Sequence, residues 1–233
     1  MDIRVIINGK KAGLEPVRSA IFKARESGMV EVRATWEGGD VERLVHEAVH
    51  DGCQRVVAAG GDGTVKEVAD AILHLSADER PELAVMPLGT ANDFATACTI
   101  PVDHLSALQL AQAGKVQNVD AVKANEHYFM NVASGGFGAK VTANTPVALK
   151  NFLGGGAYTL SGLVQAVNFA PDQGEMHLPD ESVRSDVIVG AVCNGRQAGG
   201  GQQLAPQALI NDGLLDLVAL NHFPAEALSQ VID

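Results

Sequence analysis

The chain has 233 residues, 46% of them hydrophobic, with 28 acidic against 17 basic residues and a net charge of −11. That suits one large or two modest globular domains, and it excludes a disordered chain and, with no Lys/Arg cluster, a nucleic-acid partner. Cys53, Cys98 and Cys193 are odd in number and widely spaced, and MDIRVIINGK has no signal-peptide core, so a reduced, cytoplasmic protein is expected.

The run IRVII (3–7) is a β-branched strand ending at the turn signal Asn8-Gly9. Val17, Ala20, Ile21 and Ala24 then recur with helical spacing, with Pro16 to begin the helix and Gly28 to end it. VEVRAT (30–35) alternates as a strand, and Asp40 is expected to cap a helix that Gly52 closes. RVVAAG (55–60) is continuously apolar, as in a strand covered on both faces of a parallel sheet. A helix from Val65 to about Leu75, the strand LAVMPLG (83–89), and helices starting near Asn92 and Asp103 follow. This alternation predicts a doubly wound, mostly parallel α/β domain over residues 1–118. After Gly114 the texture changes. QNVDAVKAN, HYFMNVASG, GEMHLP, SDVIVGAVCNG and GLLDLVALN are strand-like, joined by Gly- and Asn-rich turns, with one helical stretch at 146–169. A β-rich, sandwich-like second domain with one main helix is expected over 119–233. No run reaches the roughly 18 apolar residues of a membrane span.

HEAVH (46–50) matches the zinc-protease pattern H-E-x-x-H, in which two histidines one turn apart hold a metal. On a helical wheel, however, Val41, Leu44, Val45, Ala48 and Val49 share one arc, and His46, Glu47 and His50 lie opposite with Glu42 and Arg43. Zinc ligands must converge in a cleft, and these point to solvent. Glu67, the later carboxylate, is separated from them by a strand and a glycine loop. HEAVH is expected to be a solvated helix face that binds no zinc.

The stretch AAGGDGTVKEVADAI (58–72) runs a buried strand through Gly60, Gly61 and Gly63 into a helix. Glycines allow close backbone approach, and the helix N-terminus favours phosphate. Thr64-x-x-Glu67 is a capping-box pattern. Asp62 would repel a phosphate unless it meets a metal or hydroxyl, so it reads as functional. The loop departs from both G-x-G-x-x-G and Walker A, which argues against an ordinary dinucleotide domain or P-loop enzyme, and a purely structural turn is the alternative. One strand later, MPLGTANDFA (86–95) repeats the arrangement with Gly89 and a second capping pattern, Thr90-x-x-Asp93. Two glycine loops at the carboxyl edge of one sheet point to a nucleotide cleft.

GGDGT followed by PLGTANDFA resembles the diacylglycerol-kinase-like lipid kinases, particularly the bacterial YegS-like group. RATWEGGD (33–40), NVASGGFGA (131–139) and NGRQAGGGQQLAPQALINDGLLDL (194–217) extend the resemblance over most of the chain. It implies ATP-dependent transfer of the γ-phosphate to a hydroxyl of a diacylglycerol- or phosphatidylglycerol-type lipid, with ATP between the two domains. Carried over by position, nucleotide contacts fall on Thr35, on Gly61, Asp62, Gly63, Thr64, Val65, Lys66 and Glu67, and on Thr90. Lys66 departs from the family, which commonly has Asn there; it could pair with phosphate or point to solvent. The resemblance also implies a structural Mg²⁺ held by Asp212 with the carbonyls of Leu209 and Leu214, an oxygen-only set suited to that ion. A hairpin turn at Asp212-Gly213 is the alternative. The apolar stretch 149–169 could line an acyl groove, rest on the bilayer, or form a core helix. At a net charge of −11, membrane contact is expected to be transient and peripheral. The family's general base, in an Asp-Gly-Glu motif, is expected beyond Asp233, so this chain alone is expected to turn over poorly. A kinase of NAD, which also uses a GGDG loop, and a non-catalytic nucleotide- or lipid-binding module are the competing readings. TANDF and NGRQAGGGQQ argue against the first. No pattern implies an oligomeric state.

Overall fold

The computed structural model of the protein describes residues 2–136, 171–178 and 180–221. Two compact units divide the chain, Met1–Met130 and Asn131–Asp233.

The first unit is built on four parallel strands, β1 (Ile3–Asn8), β2 (Val30–Thr35), β3 (Arg55–Gly60) and β4 (Glu82–Pro87), in the order β2-β1-β3-β4. The helices are α1 (Glu15–Ala24), α2 (Asp40–His50), α3 (Asp62–Leu73), α4 (Asp93–Ala97) and α5 (His104–Ala113). Strand alternation decides which face each helix covers. Ile3, Val5 and Ile7 of β1 share a core with Val17, Ala20, Ile21 and Ala24 of α1 and with Ala107, Leu108 and Ala111 of α5. Ile6, pointing the other way, packs with Leu44, Val45 and Ala48 of α2 and Val65, Val68 and Ile72 of α3. The sheet is therefore covered on both faces, the doubly wound arrangement that its continuous apolar strands require. Each fully buried Val or Ile contributes on the order of 1.5–3 kcal/mol.

Two arginines lock the edge of the sheet where the strands begin. Arg4, 2% exposed, contacts Glu31 at 2.6 Å and Asp51 at 2.9 Å. Arg55 pairs with Glu82 at 2.5 Å and donates to the carbonyl of Ala111, tying β3 to β4 and α5. The opposite edge carries the glycine loops.

Several local expectations change in three dimensions. The first helix ends at Ala24, with Arg25 as its C-cap, before Gly28 is reached. Asp40 is not a cap: Gly39, at φ +86°, occupies that position and Asp40 starts the helix. The segment HYFMNVASG is not one strand but two. His127–Phe129 (β6) pairs with Val122–Ala124 (β5) as a hairpin, whereas Val132–Gly136 (β7) belongs to the second unit. The break follows from Asp70 of α3. Its carboxylate accepts the Tyr128 N–H at 2.7 Å and lies 3.0 Å from His127, holding the hairpin to the first unit.

In the second unit the long strand β9 (Ser182–Cys193) organises an antiparallel sheet. The strand β8 (Asp172–His177) pairs with its first half and β7 with its second, while β12 (Asp216–Asn221) lies along the other edge. Between β9 and β12 a short ribbon forms from β10 (Gln197–Ala198) and β11 (Gln202–Gln203). Ala191, Cys193, Ala205 and Ala208 form a small core, with Val132, Leu204 and Val218 packed against it. Gly195 is required by Asn131, whose Oδ1 would lie 1.9 Å from any Cβ there. The expected helix at 146–169 lies outside the described residues.

Candidate active site

Parallel register aligns the ends of the strands. Asn8 pairs with Thr35, Ile7 with Ala59, and Gly60 with Pro87, so Thr35, Asn8, Gly60 and Pro87 form one row across the sheet. Everything just beyond that row lies at the carboxyl edge, where open α/β sheets bind ligands. This edge brings together the loop after β1, Thr35 with its following turn, the loop Gly61–Gly63, and the loop Gly89–Asn92.

The two glycine loops touch backbone to backbone. A Cβ on Gly89 would stand 2.5 Å from the Cα of Gly61 and 2.8 Å from the Asn92 Oδ1; one on Gly61 would stand 3.1 Å from the Cα of Gly89. Continuation of the strand ladder holds them in place, because the Leu88 N–H donates to the Gly60 carbonyl at 2.8 Å. Gly60 is also glycine for a packing reason, since the Thr64 side chain lies directly over it. By contrast, among the described residues nothing lies within 4 Å of a Cβ at Gly63.

Neither capping box forms. Helix α3 begins at Asp62 with Gly61 as its N-cap, and no side chain caps it. Thr64 falls inside the first turn, buried, because the Gly60-Gly61 backbone turns into helix earlier than the pattern T-x-x-E anticipates. The Val65 N–H already donates to the Gly61 carbonyl at 3.0 Å. The N–H groups of Asp62, Gly63 and Thr64 precede that first helical bond, which is the set an anion finds at a helix N-terminus. In the second loop Asn92, at φ +54°, is the N-cap of α4 and Asp93 is its first helical residue. Asn92 accepts from the Gly89 N–H at 2.8 Å and donates back to the Gly89 carbonyl at 3.0 Å, closing the loop on itself.

Asp62 joins the two loops. Its Oδ1 accepts the Phe94 N–H of α4 at 3.1 Å, so the carboxylate satisfies a free amide of the neighbouring helix. Lys66 lies 3.3 Å from Asp70, one turn further along α3. Burial alone would raise the Asp70 carboxyl, but the Tyr128 N–H, His127 and Lys66 hold it below its ordinary value. Val65 is buried in the core, whereas Glu67 and Thr90 are exposed. Half-buried Thr35 accepts the Gly9 N–H at 3.3 Å.

A further void among the described residues lies away from this edge. A cavity of about 420 Å³ opens where the strands begin, lined by Asp2, Arg4, Glu31, Asp51, Cys53 and Gln54 among others. Its one arginine is already surrounded by carboxylates, so it offers an anion nothing. On α2, His46 and His50 are exposed, as the wheel predicts, and Glu47 pairs with Arg33 at 2.8 Å. In the second unit Asp212 is exposed and its Oδ1 accepts the Leu214 N–H at 3.0 Å, with Gly213 at φ +75°. Asp212-Gly213 sits within the connection from β11 to β12, not in a two-residue hairpin turn. Leu209 and Leu214 on either side of it are exposed, and among the described residues no group of three or more His, Cys, Asp or Glu side chains could hold a metal ion.

The model of the diacylglycerol kinase catalytic domain matches residues 2–124. The chain belongs to this family. A second model, the YegS C-terminal NAD kinase beta sandwich-like domain, matches residues 131–233. A relative named "Probable lipid kinase YegS-like" from Shewanella frigidimarina is 48% identical over 99% of this chain and 75% of its own length. One of the same name from Chromohalobacter salexigens is 47% identical over 100% of this chain, again 75% of its own length. The crystal structure of a diacylglycerol kinase from Bacillus anthracis shares the fold, with a TM-score of 0.75 at 22% identity, covering 99% of this chain and 76% of that one. Membership in a lipid kinase family makes the chain a phosphotransferase, and a kinase family implies ATP use. No helix among the described residues is long and apolar enough to cross a membrane.

Proposed function

We propose that the chain binds ATP at the carboxyl edge of its parallel sheet and hands the γ-phosphate to the hydroxyl of a diacylglycerol- or phosphatidylglycerol-type lipid. The observation that carries this is the first turn of α3, uncapped by any side chain and set against the Gly89 loop. Its amides and helix dipole suit phosphate oxygens without a side-chain cation. Phosphoryl transfer depends mainly on positioning and charge neutralisation. Gly61, Gly63 and Thr64 would supply amides, and Asp62 would orient the phosphates through the Mg²⁺ bound with the nucleotide while keeping the two loops in register. Thr35 and Thr90 would flank the nucleotide, and Glu67 would face it from the exposed side of α3. Val65 could contribute only its backbone, and the bond from Lys66 to Asp70 would have to open for Lys66 to reach a phosphate.

Mg²⁺ bound with the nucleotide would neutralise phosphate charge, and at Asp212 the ion would be structural, ordering the connection into β12. The family's lipid-activating Asp-Gly-Glu motif does not occur in this sequence, so the roles proposed for these residues are nucleotide binding and positioning. The functional division proposed is nucleotide binding by the first unit, Met1–Met130, and lipid and metal binding by the second, Asn131–Asp233, with transient contact at the membrane surface. A panel of diacylglycerol, phosphatidylglycerol and NAD with labelled ATP tests the reading. Label in lipid alone supports it, and label in NAD alone would sink it.

A further inference from the structure

Trp36 is the only tryptophan in the chain, and it is 94% exposed. An indole left in water forgoes the burial of a large apolar surface, so a fully exposed one at a ligand edge calls for an explanation. Its backbone is not loose. The Asp40 carboxylate, itself buried, accepts the Trp36 N–H at 2.6 Å and the Glu37 N–H at 3.0 Å, and Arg43 holds its other oxygen at 2.6 Å. These bonds, that from Arg43 foremost, keep the Asp40 carboxyl ionised, its pKa lowered to about 2. A pinned turn therefore presents a bare aromatic ring.

The ring's position follows from register. Trp36 comes one residue after Thr35, just beyond the row of strand ends and at the level of Gly61. Two strand spacings separate β2 from β3, about 10 Å in all. That is the reach from the base of a nucleotide to its second phosphate. Between them runs the loop after β1, with exposed Lys10 and Lys11, whose amides are tied back to Asn8.

Resting on the proposed nucleotide site, we propose that Trp36 is the stacking wall for the nucleobase, with the phosphates running across Gly9 toward the first turn of α3. The ligand class is a purine nucleoside di- or triphosphate, since stacking grows with ring area. A bilayer is the less suitable occupant. Glu37, Asp40 and Glu42 lie in or just after the turn in the sequence, and the chain's net charge is −11.

The test uses the whole chain with Mg²⁺, titrated with ADP and with inorganic pyrophosphate, followed by calorimetry and by tryptophan emission. ADP should quench the emission in step with the heat, while pyrophosphate should bind with little quenching. Trp36→Ala should weaken ADP roughly 5- to 100-fold, as loss of one stacked base does, leave pyrophosphate unchanged, and be largely restored in Trp36→Phe. ADP binding with unaltered emission and unaltered affinity in Trp36→Ala would overturn the stacking role and leave the nucleotide site standing. No binding of either ligand would remove both. A blue shift with phosphatidylglycerol vesicles but not with ADP would reassign the ring to the membrane.

Discussion

Replacing Gly89 by Ala tests the contact on which the site depends. The new Cβ would stand 2.5 Å from the Gly61 Cα and 2.8 Å from the Asn92 Oδ1, whereas carbon atoms rest about 3.5–4.0 Å apart. The loops must then separate by roughly 1 Å. Neither obstacle can rotate away, because one is backbone and the other is held by the Gly89 N–H. Overpacking of this kind costs about 1–3 kcal/mol, and each kcal/mol lowers Tm by roughly 2–4 °C in a chain this size. A displacement of ~1 Å at a reacting centre can cost on the order of 10²-fold in rate. Gly63→Ala is the control. Among the described residues nothing meets its methyl group, and Ala is the better helix former by up to ~1 kcal/mol, so stability should hold or rise. Any loss of ADP affinity in Gly63→Ala then reports the ligand itself. Thermal unfolding by circular dichroism and calorimetric ADP titration read both. Gly89→Ala melting within about 1 °C of the parent, with unchanged ADP affinity, would show that the loops do not depend on this contact.

Asp62→Asn should keep its acceptor for the Phe94 N–H and unfold near the parent temperature, yet lose at least roughly 10²-fold in phosphoryl transfer. Asp62→Ala should in addition lose the bond from the Phe94 N–H, about 0.5–1.5 kcal/mol in thermal or urea unfolding. Near-parental transfer by Asp62→Asn would remove Asp62 from the chemistry. His74 has its Nδ1 2.7 Å from the Asp70 carbonyl and its Nε2 3.0 Å from the Glu126 carbonyl, two acceptors that only an imidazolium can satisfy together. Its pKa is raised, first by the Asp70 carbonyl. A raised folded pKa gives stability that is complete below the unfolded value near 6.5 and fades as pH climbs through the folded one. His74→Gln should therefore cost more in urea unfolding at pH 5.5 than at pH 8.5, and an equal cost at both would refute the double bond. Asp212→Asn should lower thermal stability and weaken its dependence on Mg²⁺ together; if neither changes, the ion does not bind there.

Much of the first unit is local and was therefore legible in the sequence. The strands 30–35 and 55–60 match the described elements residue for residue, and the apolar positions predicted for α1 are the ones buried. Side-chain periodicity encodes these directly, because period and burial are set by neighbours a few residues away. The direction of His46 and His50 follows for the same reason. The glycine loops were visible as composition, and their placement at one sheet edge followed from strand–helix alternation. What they do there was not visible. Local pattern made Thr64 and Thr90 caps and made Asp40 the cap of α2. The structure instead lays Thr64 over Gly60, gives the α4 cap to Asn92, and turns Asp40 back onto the Trp36 and Glu37 amides. The meeting of Gly61 with Gly89, the bond from Phe94 to Asp62, and the hold of Asp70 on the β5–β6 hairpin join residues about 30 to 60 apart in the chain. Helix capping rules span one turn, whereas these partners meet only after the sheet has put its strand ends in register. The sequence by itself thus determined most elements of the first unit, their faces and the edge that carries both glycine loops. Long-range packing alone decided which amides stay open and which carboxylates are already spent.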